Sequence, residues 1–203
     1  MLTLRSSPAS PFVRKVRIAA NLLGLEREIA LEQADTTSAD DTIRRQNPLG
    51  KIPALVLEDG SVLFDSRVIL EYLEHRAGGA RIIPRDARAR FAALALQALA
   101  DGIMDASILI IYEQRFRPAE RHEPKWTDHQ AGKVARALAA LEPSPPPLDV
   151  MPNVGQIALA CALGYRDFRF SGSWRANHPK LTAWLDGFAA QVPAFAATAP
   201  PPA

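Results

Sequence analysis

Cysteine is almost absent from this chain of 203 residues, in which Cys161 is the single example. One cysteine forms no internal disulfide, so the composition fits a reducing compartment. Long apolar runs are missing as well, because charged residues interrupt them before the roughly 20 residues that a membrane span needs. The beginning of the chain lacks a basic flank followed by an apolar signal core. We therefore expect a cytoplasmic protein without a membrane partner.

An excess of one charge is also missing, since the net charge is +2 and the basic residues are spread along the chain. This distribution argues against nucleic acid as a partner. The sequence contains no dinucleotide glycine fingerprint, no P-loop and no cysteine pair at metal-binding spacing, so we expect neither a metal site nor a bound cofactor. What the chain does have is apolar residues, at 48%, which predict a globular protein.

The first 78 residues alternate short apolar runs with amphipathic segments. This pattern predicts strands at 2–4, 28–31, 54–58 and 61–64, and helices at 13–23, 40–46 and 66–78. Asp59 and Gly60 separate the last two strands, and an Asp-Gly pair favours a tight hairpin because both turn positions take positive φ. The predicted order is therefore βαβ, a short helix, and ββα.

From residue 86 onward the pattern predicts helices only, at 91–112, 128–141 and 153–163. The breaks between them fall at prolines, and the segment that contains Pro124 and Trp126 is predicted to be a loop. Pro200–Pro202 predict an unstructured tail. This change of pattern predicts a first domain at 1–78, a linker at 79–86 and an all-helical second domain at 87–203.

A serine-rich turn precedes the first predicted helix. Ser10 stands before Pro11, which suits the first helical position, so taken alone Ser10 is a helix cap. Residues 10–16, Ser-Pro-Phe-Val-Arg-Lys-Val, resemble the Cys-Pro-Phe/Tyr-Cys-x-Lys-Val stretch of glutaredoxins with both cysteines absent. Serine-type glutathione transferases resemble this segment, with a serine at the start of the first helix and neither cysteine. The resemblance implies that Ser10 activates the glutathione thiol, with Ser7 as the second choice and Phe12 beside the substrate.

A second segment, residues 47–55, reads Asn-Pro-Leu-Gly-Lys-Ile-Pro-Ala-Leu and resembles the family's segment with a cis proline before the third strand. The resemblance implies that Pro53 is this proline. It also implies that the backbone of Ile52, next to Lys51, pairs with the cysteinyl backbone of glutathione. Considered in isolation, the same residues suit an ordinary proline between a loop and a strand equally well.

A third segment begins with Asp65 and Ser66 and resembles the acid–serine pair at the start of the family's third helix. The resemblance implies that Asp65 holds the γ-glutamyl ammonium. Ser66 would bind the γ-glutamyl carboxylate, because the N-terminus of a helix favours anions. An Asp-Ser pair alone is a plain helix cap. The resemblance therefore rests on all three segments, which occur along the chain in the same order as in the family.

In the second half, Asn153 and Gln156 resemble the family's buried capping box, although glutamine replaces the usual aspartate. Cys161 follows in the same helix and is predicted to be a small core residue. The resemblance places a pocket for an electrophile between the two halves. The predicted pocket residues are Met104, Tyr112 and Arg115. The pattern is equally compatible with an Arg115 that binds an anionic substrate and with one that is simply solvated.

The resemblance covers nearly the whole chain, because residues 112–120 and 132–134 are similar to bacterial glutathione-transferase-like proteins of undefined substrate. It implies an α+β fold, with a thioredoxin-like N-terminal domain followed by a helical bundle. It also implies that glutathione is a co-substrate, that a small hydrophobic electrophile is detoxified, and that a homodimer forms through Arg67, Phe91 and Leu94. A glutathione-dependent isomerase, dehalogenase or peroxidase, or a non-catalytic binding module, remain alternatives.

Overall fold

The computed structural model describes residues 1–201. Its first part consists of β1 (Leu2–Ser6), α1 (Pro11–Leu23), β2 (Ile29–Gln33), α2 (Ile43–Gln46), β3 (Ala54–Val56), β4 (Val62–Leu63) and α3 (Ser66–Arg76). Its second part is helical and consists of α4 (Ala87–Phe116), α5 (Pro124–Leu141), α6 (Val154–Phe170), α7 (Pro179–Gln191) and α8 (Pro193–Ala197). Pro202 and Ala203, the end of the predicted tail and second domain, lie outside the described residues.

The four strands form one sheet in the order β2-β1-β3-β4. β1 is parallel to β2, as a strand–helix–strand crossover requires, and it is antiparallel to β3. β3 and β4 form the antiparallel hairpin that the sequence predicts. The predicted α+β fold, a small mixed sheet followed by a helical bundle, is therefore confirmed.

The hairpin turn differs in detail from the prediction. Gly60 has a φ of +85°, and its N–H donates to the carbonyl of Leu57 at 3.0 Å. Asp59 is not in the left-handed region; its carboxylate instead accepts from the N–H and the hydroxyl of Ser61, at 2.9 and 2.6 Å. Only one position of the pair therefore needs the conformational freedom of glycine.

Two helices of the second part begin earlier than predicted, because capping side chains precede them. Asp86 accepts from the N–H of Ala89 at 2.9 Å, so α4 starts at residue 87 rather than 91. Glu123 accepts from the N–H of Lys125 at 3.1 Å, and Pro124 occupies the first turn of α5. The predicted loop at Pro124 and Trp126 is therefore wrong, since both residues are helical.

Helix α4 is, contrary to expectation, long and apolar enough to cross a membrane if length and composition are considered alone. In the structure it packs against α5 and α6. Its buried residues include Ala100, Ile103 and Met104, which belong to one core shared by both parts of the chain. Such packing is typical of the core helix of a soluble protein.

Helix α6 lies at the centre of the helical part and begins with the predicted capping box. Asn153 accepts from the N–H of Gln156 at 3.2 Å, while the Gln156 side chain accepts from the Asn153 N–H at 2.7 Å. Cys161 is fully buried in this helix, which confirms the predicted core role. Burial raises the pKa of its thiol to about 12, so Cys161 is not a nucleophile at neutral pH.

Gly155 brings α6 and α4 into close contact. A Cβ at this position would lie 2.6 Å from the carbonyl oxygen of Ala93 and 2.8 Å from the Cβ of Leu96. We expect Gly155→Ala to lower the free energy of unfolding by about 1–3 kcal/mol, because the helix backbones must separate. Denaturation with urea measures the change.

Gly102 provides the matched control within α4. A Cβ there has nothing within 4 Å, and the residue is exposed. Gly102→Ala should therefore raise the stability by about 0.5–1 kcal/mol, through helix propensity alone. Equal effects of the two substitutions would contradict the close contact at Gly155.

Candidate functional site

The three motif segments leave the sheet at the same edge. Arg5 in β1 pairs with Ala54 in β3, so the turn after β1 lies beside Pro53. Leu55 pairs with Leu63 in β4, and the residues that follow β4 therefore reach the same edge. Strand pairing thus brings together three segments that are far apart in the sequence, at 7–12, 51–53 and 65–66.

Ser10 is the N-cap of α1, as predicted. Its Oγ accepts from the N–H of Val13 at 3.3 Å, and Pro11 follows in the first turn. Because this contact uses only a lone pair, the hydroxyl hydrogen of Ser10 is available to a ligand at the helix N-terminus. The half-buried side chain thus combines a donor with the positive end of the helix dipole.

The other two serines of the turn have different surroundings. Ser7 is half-buried, and its carbonyl accepts from the N–H of Ser10 at 3.1 Å, which closes the turn. Ser6 is buried, and its hydroxyl donates to the carbonyl of Glu32 in β2 at 3.3 Å. Ser6 is thereby engaged within the sheet, whereas Ser7 and Ser10 lie in the turn.

The loop before β3 contains the predicted cis bond, between Ile52 and Pro53. Ile52 is half-buried, and within residues 1–201 no intramolecular hydrogen bond engages its N–H or C=O. The buried Asn47 holds this loop: its amide donates to the carbonyl of Lys51 at 2.8 Å, and its oxygen accepts from the N–H of Leu49 at 3.0 Å. This role of Asn47 was not predicted from the sequence.

Asp65 and Ser66 begin α3, as predicted. The Asp65 carboxylate accepts from the N–H of Arg67 at 2.9 Å and also pairs with the Arg67 guanidinium at 3.0 Å. Burial works to raise the pKa of Asp65, but the hydrogen bonds and charge of Arg67 outweigh it, so the pKa lies below its ordinary value. Ser66 is buried at the helix N-terminus. An anionic Asp65 at the N-terminus of a helix suits a zwitterionic ligand, because the carboxylate attracts its cation and the helix end favours its anion.

A chain of charged groups links this corner to the helical part. Arg67 Nε lies 3.7 Å from Asp101 of α4, whose other carboxylate oxygen is 2.6 Å from the Nζ of Lys15 of α1. Lys15 is fully buried. Burial is the largest influence on both partners: it lowers the pKa of Lys15 and raises that of Asp101, while their mutual attraction opposes the change.

The pairing of Lys15 with Asp101 was not predicted from the sequence. Lys15 is part of the first motif, but its partner lies 86 residues away, and a lone aspartate inside an apolar helix does not identify its neighbour. Asp105 belongs to the same surface: burial raises its pKa, and the nearby charges of Lys51 and Arg67 oppose the shift. Lys51, in the loop before β3, is exposed.

A narrow cleft adjoins Ser10 on the side of α6. It is lined by Ser10, Pro11, Arg14, Cys161, Tyr165 and Phe168, together with Pro200 of the tail. The aromatic residues come from the end of α6, which the predicted helix at 153–163 did not reach. The sequence signal that could have indicated them is the segment 165–170, Tyr-Arg-Asp-Phe-Arg-Phe, in which three aromatic residues follow the apolar part of the helix.

The predicted electrophile residues on α4 have different environments. Tyr112 and Arg115 are exposed near the end of the helix, where the Arg115 guanidinium lies 5.9 Å from the Tyr112 ring centroid. Met104 is fully buried in the core, so as a residue that contacts substrate it is a wrong choice. Phe12 is half-buried and lies 5.6 Å from the Nζ of Lys15, next to the opening turn.

Comparison with known proteins agrees with this architecture. Residues 9–76 match the family model described as glutathione S-transferase, N-terminal domain. The chain is 36% identical, over the full length of both proteins, to the uncharacterized GST-like protein YibF of Escherichia coli. It is also 30% identical to the maleylacetoacetate isomerase of Pseudomonas aeruginosa, over 63% of this chain and 62% of the isomerase.

Solved structures give the same result. A glutathione transferase family member from Pseudomonas fluorescens Pf-5 with bound glutathione is 44% identical, with a TM-score of 0.90 over 99% of this chain and 100% of that chain. A second structure from the same organism, with bound S-(propanoic acid)-glutathione, is 45% identical with a TM-score of 0.86. The match in sequence and in fold extends over both parts of the chain, which therefore belongs to the glutathione S-transferase family.

Proposed function

We propose that this protein binds glutathione at the sheet edge and transfers its thiolate to a small electrophile. The observation that carries the proposal is the convergence of the three motif segments on one site, with the Ser10 hydroxyl at the N-terminus of α1. Asp65 and Ser66 would hold the γ-glutamyl group. The free backbone groups of Ile52 would pair with the cysteinyl residue, next to Lys51 and Pro53, which would direct the sulfur toward Ser10.

The energetic requirement of this chemistry is modest. A thiol with a pKa of about 8.5 is only about 3% ionised at pH 7, and lowering the pKa by about two units gives roughly 75% thiolate. This shift corresponds to about 2.7 kcal/mol. A hydroxyl that donates to the thiolate supplies about 1.5–3 kcal/mol, and a helix N-terminus adds about 0.3–2 kcal/mol. Ser10 and α1 together therefore suffice without a general base, a metal or another cofactor.

The relatives support the proposal. The Pseudomonas fluorescens structures contain glutathione in one case and a sulfur-substituted glutathione in the other. Binding of both ligands to a site of this fold is what a transferase requires, since the second resembles a product. We place the reaction in the cytoplasm, where glutathione remains reduced, and assign it to the detoxification of electrophiles.

A second candidate function is isomerisation with glutathione as the catalyst. The similarity to a maleylacetoacetate isomerase over 63% of the chain favours it. In such a reaction the thiolate adds to a double bond and leaves again, so the same activated sulfur serves both candidates. Turnover of a maleyl substrate that exceeds aryl conjugation would favour the isomerase.

We also propose that the protein is a homodimer. Phe91 on α4 is 68% exposed and Val68 on α3 is 46% exposed, which leaves a pair of apolar side chains in solvent. Arg67 is exposed on the same helix as Val68, and Leu94 is half-buried one turn beyond Phe91. Contact with a second copy would bury these side chains.

Binding of glutathione provides the direct test of the proposal. We expect calorimetry to detect binding of millimolar glutathione to the wild-type protein. Asp65→Ala should weaken the affinity about 10-fold, because the γ-glutamyl ammonium loses a hydrogen bond to a charged group. Asp40→Ala is the matched control: its carboxylate is exposed in the loop before α2, and its removal should leave the affinity unchanged. Absence of heat with the wild type would reject the glutathione function.

A further inference from the structure

Arg5 is a charged residue buried in the middle of the sheet. It lies in β1, beside Glu32 of β2 and Ala54 of β3, and its side chain is only 2% exposed. Burying a charged group costs free energy unless its donors find partners. The partners of Arg5 come mainly from one segment of the chain, residues 41–46.

The guanidinium of Arg5 holds three side chains of this segment, which contains α2. Its Nη1 donates to the Oγ1 of Thr42 at 2.7 Å and to the Oε1 of Gln46. Its Nη2 donates to the Oδ1 of Asp41 at 2.8 Å, and the same oxygen accepts from the N–H of Ile43 at 2.7 Å. One buried side chain thus contacts both ends of a helix that is only four residues long.

Apolar packing alone gives α2 little support. Its buried residue Ile43 belongs to a small core with Ala34 and Ala54, against which Ile52 also packs. Helices shorter than about 12 residues are marginal in water without such contacts. The position of α2 on the sheet therefore depends on Arg5 as well as on this small core.

The segment that Arg5 holds leads directly into the loop before β3. The N–H of Asn47 donates to the carbonyl of Ile43 at 2.7 Å, so Asn47 is attached to the end of α2. Its side-chain amide donates in turn to the carbonyl of Lys51, the residue before Ile52. A continuous series of hydrogen bonds therefore joins the middle of β1 to the backbone that would meet the cysteinyl residue of glutathione.

Glu32 is not an equivalent partner of Arg5. Its carboxylate lies 3.5 Å from the Nε of Arg5, but the Glu32 side chain is 54% exposed. Within residues 1–201 this Nε has no hydrogen-bond partner. Exposed ion pairs contribute little, so the contacts with the α2 segment are the ones that matter.

We propose that Arg5 is a positioning residue for glutathione, which acts through α2 and Asn47 to keep the loop before β3 in its binding conformation. The inference rests on the proposed glutathione function and adds a buried residue that acts through others. Without the guanidinium the loop would also occupy other conformations, and a competent fraction of about one tenth raises the apparent dissociation constant about 10-fold. The sulfur would lie at Ser10, outside this series of contacts, so turnover at saturating glutathione should change little.

The test combines calorimetry, kinetics and amide exchange. Arg5→Met removes the guanidinium and keeps an unbranched side chain. We expect its dissociation constant for glutathione to rise about 10-fold, while kcat at saturating glutathione changes less than about twofold and the pKa of the bound thiol stays the same. The amides of Leu49 and Gly50, which donate to Asn47 at 3.0 and 2.8 Å, should exchange faster with deuterated water.

Three further variants separate positioning from a general loss of stability. Arg5→Lys keeps the charge without the planar geometry, so it should retain part of the affinity. Glu32→Gln is the local control and should leave the affinity unchanged. Leu138→Ala opens a cavity at a buried position of α5 and lowers the stability elsewhere in the fold, so it should change neither the affinity nor the exchange of the loop amides.

An unchanged dissociation constant in folded Arg5→Met, or an equal rise in Leu138→Ala, would overturn the positioning role. If Arg5→Met does not fold, Asp41→Ala takes its place: it removes an acceptor of the guanidinium and should raise the dissociation constant about threefold or more. An unchanged constant in that variant would overturn the role as well. Failure of the wild type to bind glutathione would overturn the proposed function and the positioning role together, and faster amide exchange in Arg5→Met would then show a structural role only.

Discussion

Replacing Ser10 by alanine is expected to lower kcat/KM for aryl conjugation by about 10- to 150-fold, the equivalent of a lost hydrogen bond to a charged sulfur of about 1.5–3 kcal/mol. The affinity for glutathione should stay close to that of the wild type, because other residues hold the tripeptide. The pKa of the bound thiol should rise toward that of free glutathione. Conjugation of 1-chloro-2,4-dinitrobenzene measures the rate, and thiolate absorbance against pH measures the pKa.

The cap that Ser10 provides requires a control, because its loss costs about 1 kcal/mol of stability in addition. Ser10→Thr keeps both the capping oxygen and the hydroxyl donor, so it should retain most of the activity. Ser7→Ala tests the second serine of the turn and should have a small effect. Unchanged activity of Ser10→Ala would reject the assignment, and a larger loss in Ser7→Ala would transfer it to Ser7.

The buried pair of Lys15 and Asp101 should give the largest change in stability. Asp101→Asn leaves a fully buried ammonium without its carboxylate, and breaking such a pair costs about 3–5 kcal/mol. Since the pair joins α1 to α4, the loss should lower the midpoint of a single cooperative urea transition. Urea denaturation followed by circular dichroism measures the free energy of unfolding.

A double replacement distinguishes the pair from its parts. Lys15→Met together with Asp101→Leu removes both charges and should recover most of the stability, because no charge is then left unpaired. Arg90→Ala serves as the surface control, since the Arg90–Glu71 pair at 3.1 Å is exposed and contributes less than about 1 kcal/mol. A loss of comparable size in the single buried variant and the surface control would contradict the buried pair.

Local signals predicted most of the fold. Pro11 and Ser10 marked the start of α1, the Asp-Gly pair marked the hairpin, and Asn153 with Gln156 marked the start of α6. These signals work because caps and turns depend on residues only a few positions apart. The prediction failed where a cap was overlooked, as at Asp86 and Glu123, and helices then began earlier than expected.

For the site, too, contiguous residues were predictable and contacts between distant residues were not. The sequence by itself determined which segments carry the glutathione motifs, since their residues are contiguous and their order along the chain is itself evidence. Only the tertiary structure decided that Lys15 meets Asp101 and that Met104 is buried. Such contacts join residues many positions apart, and the packing of whole helices determines which side chains meet.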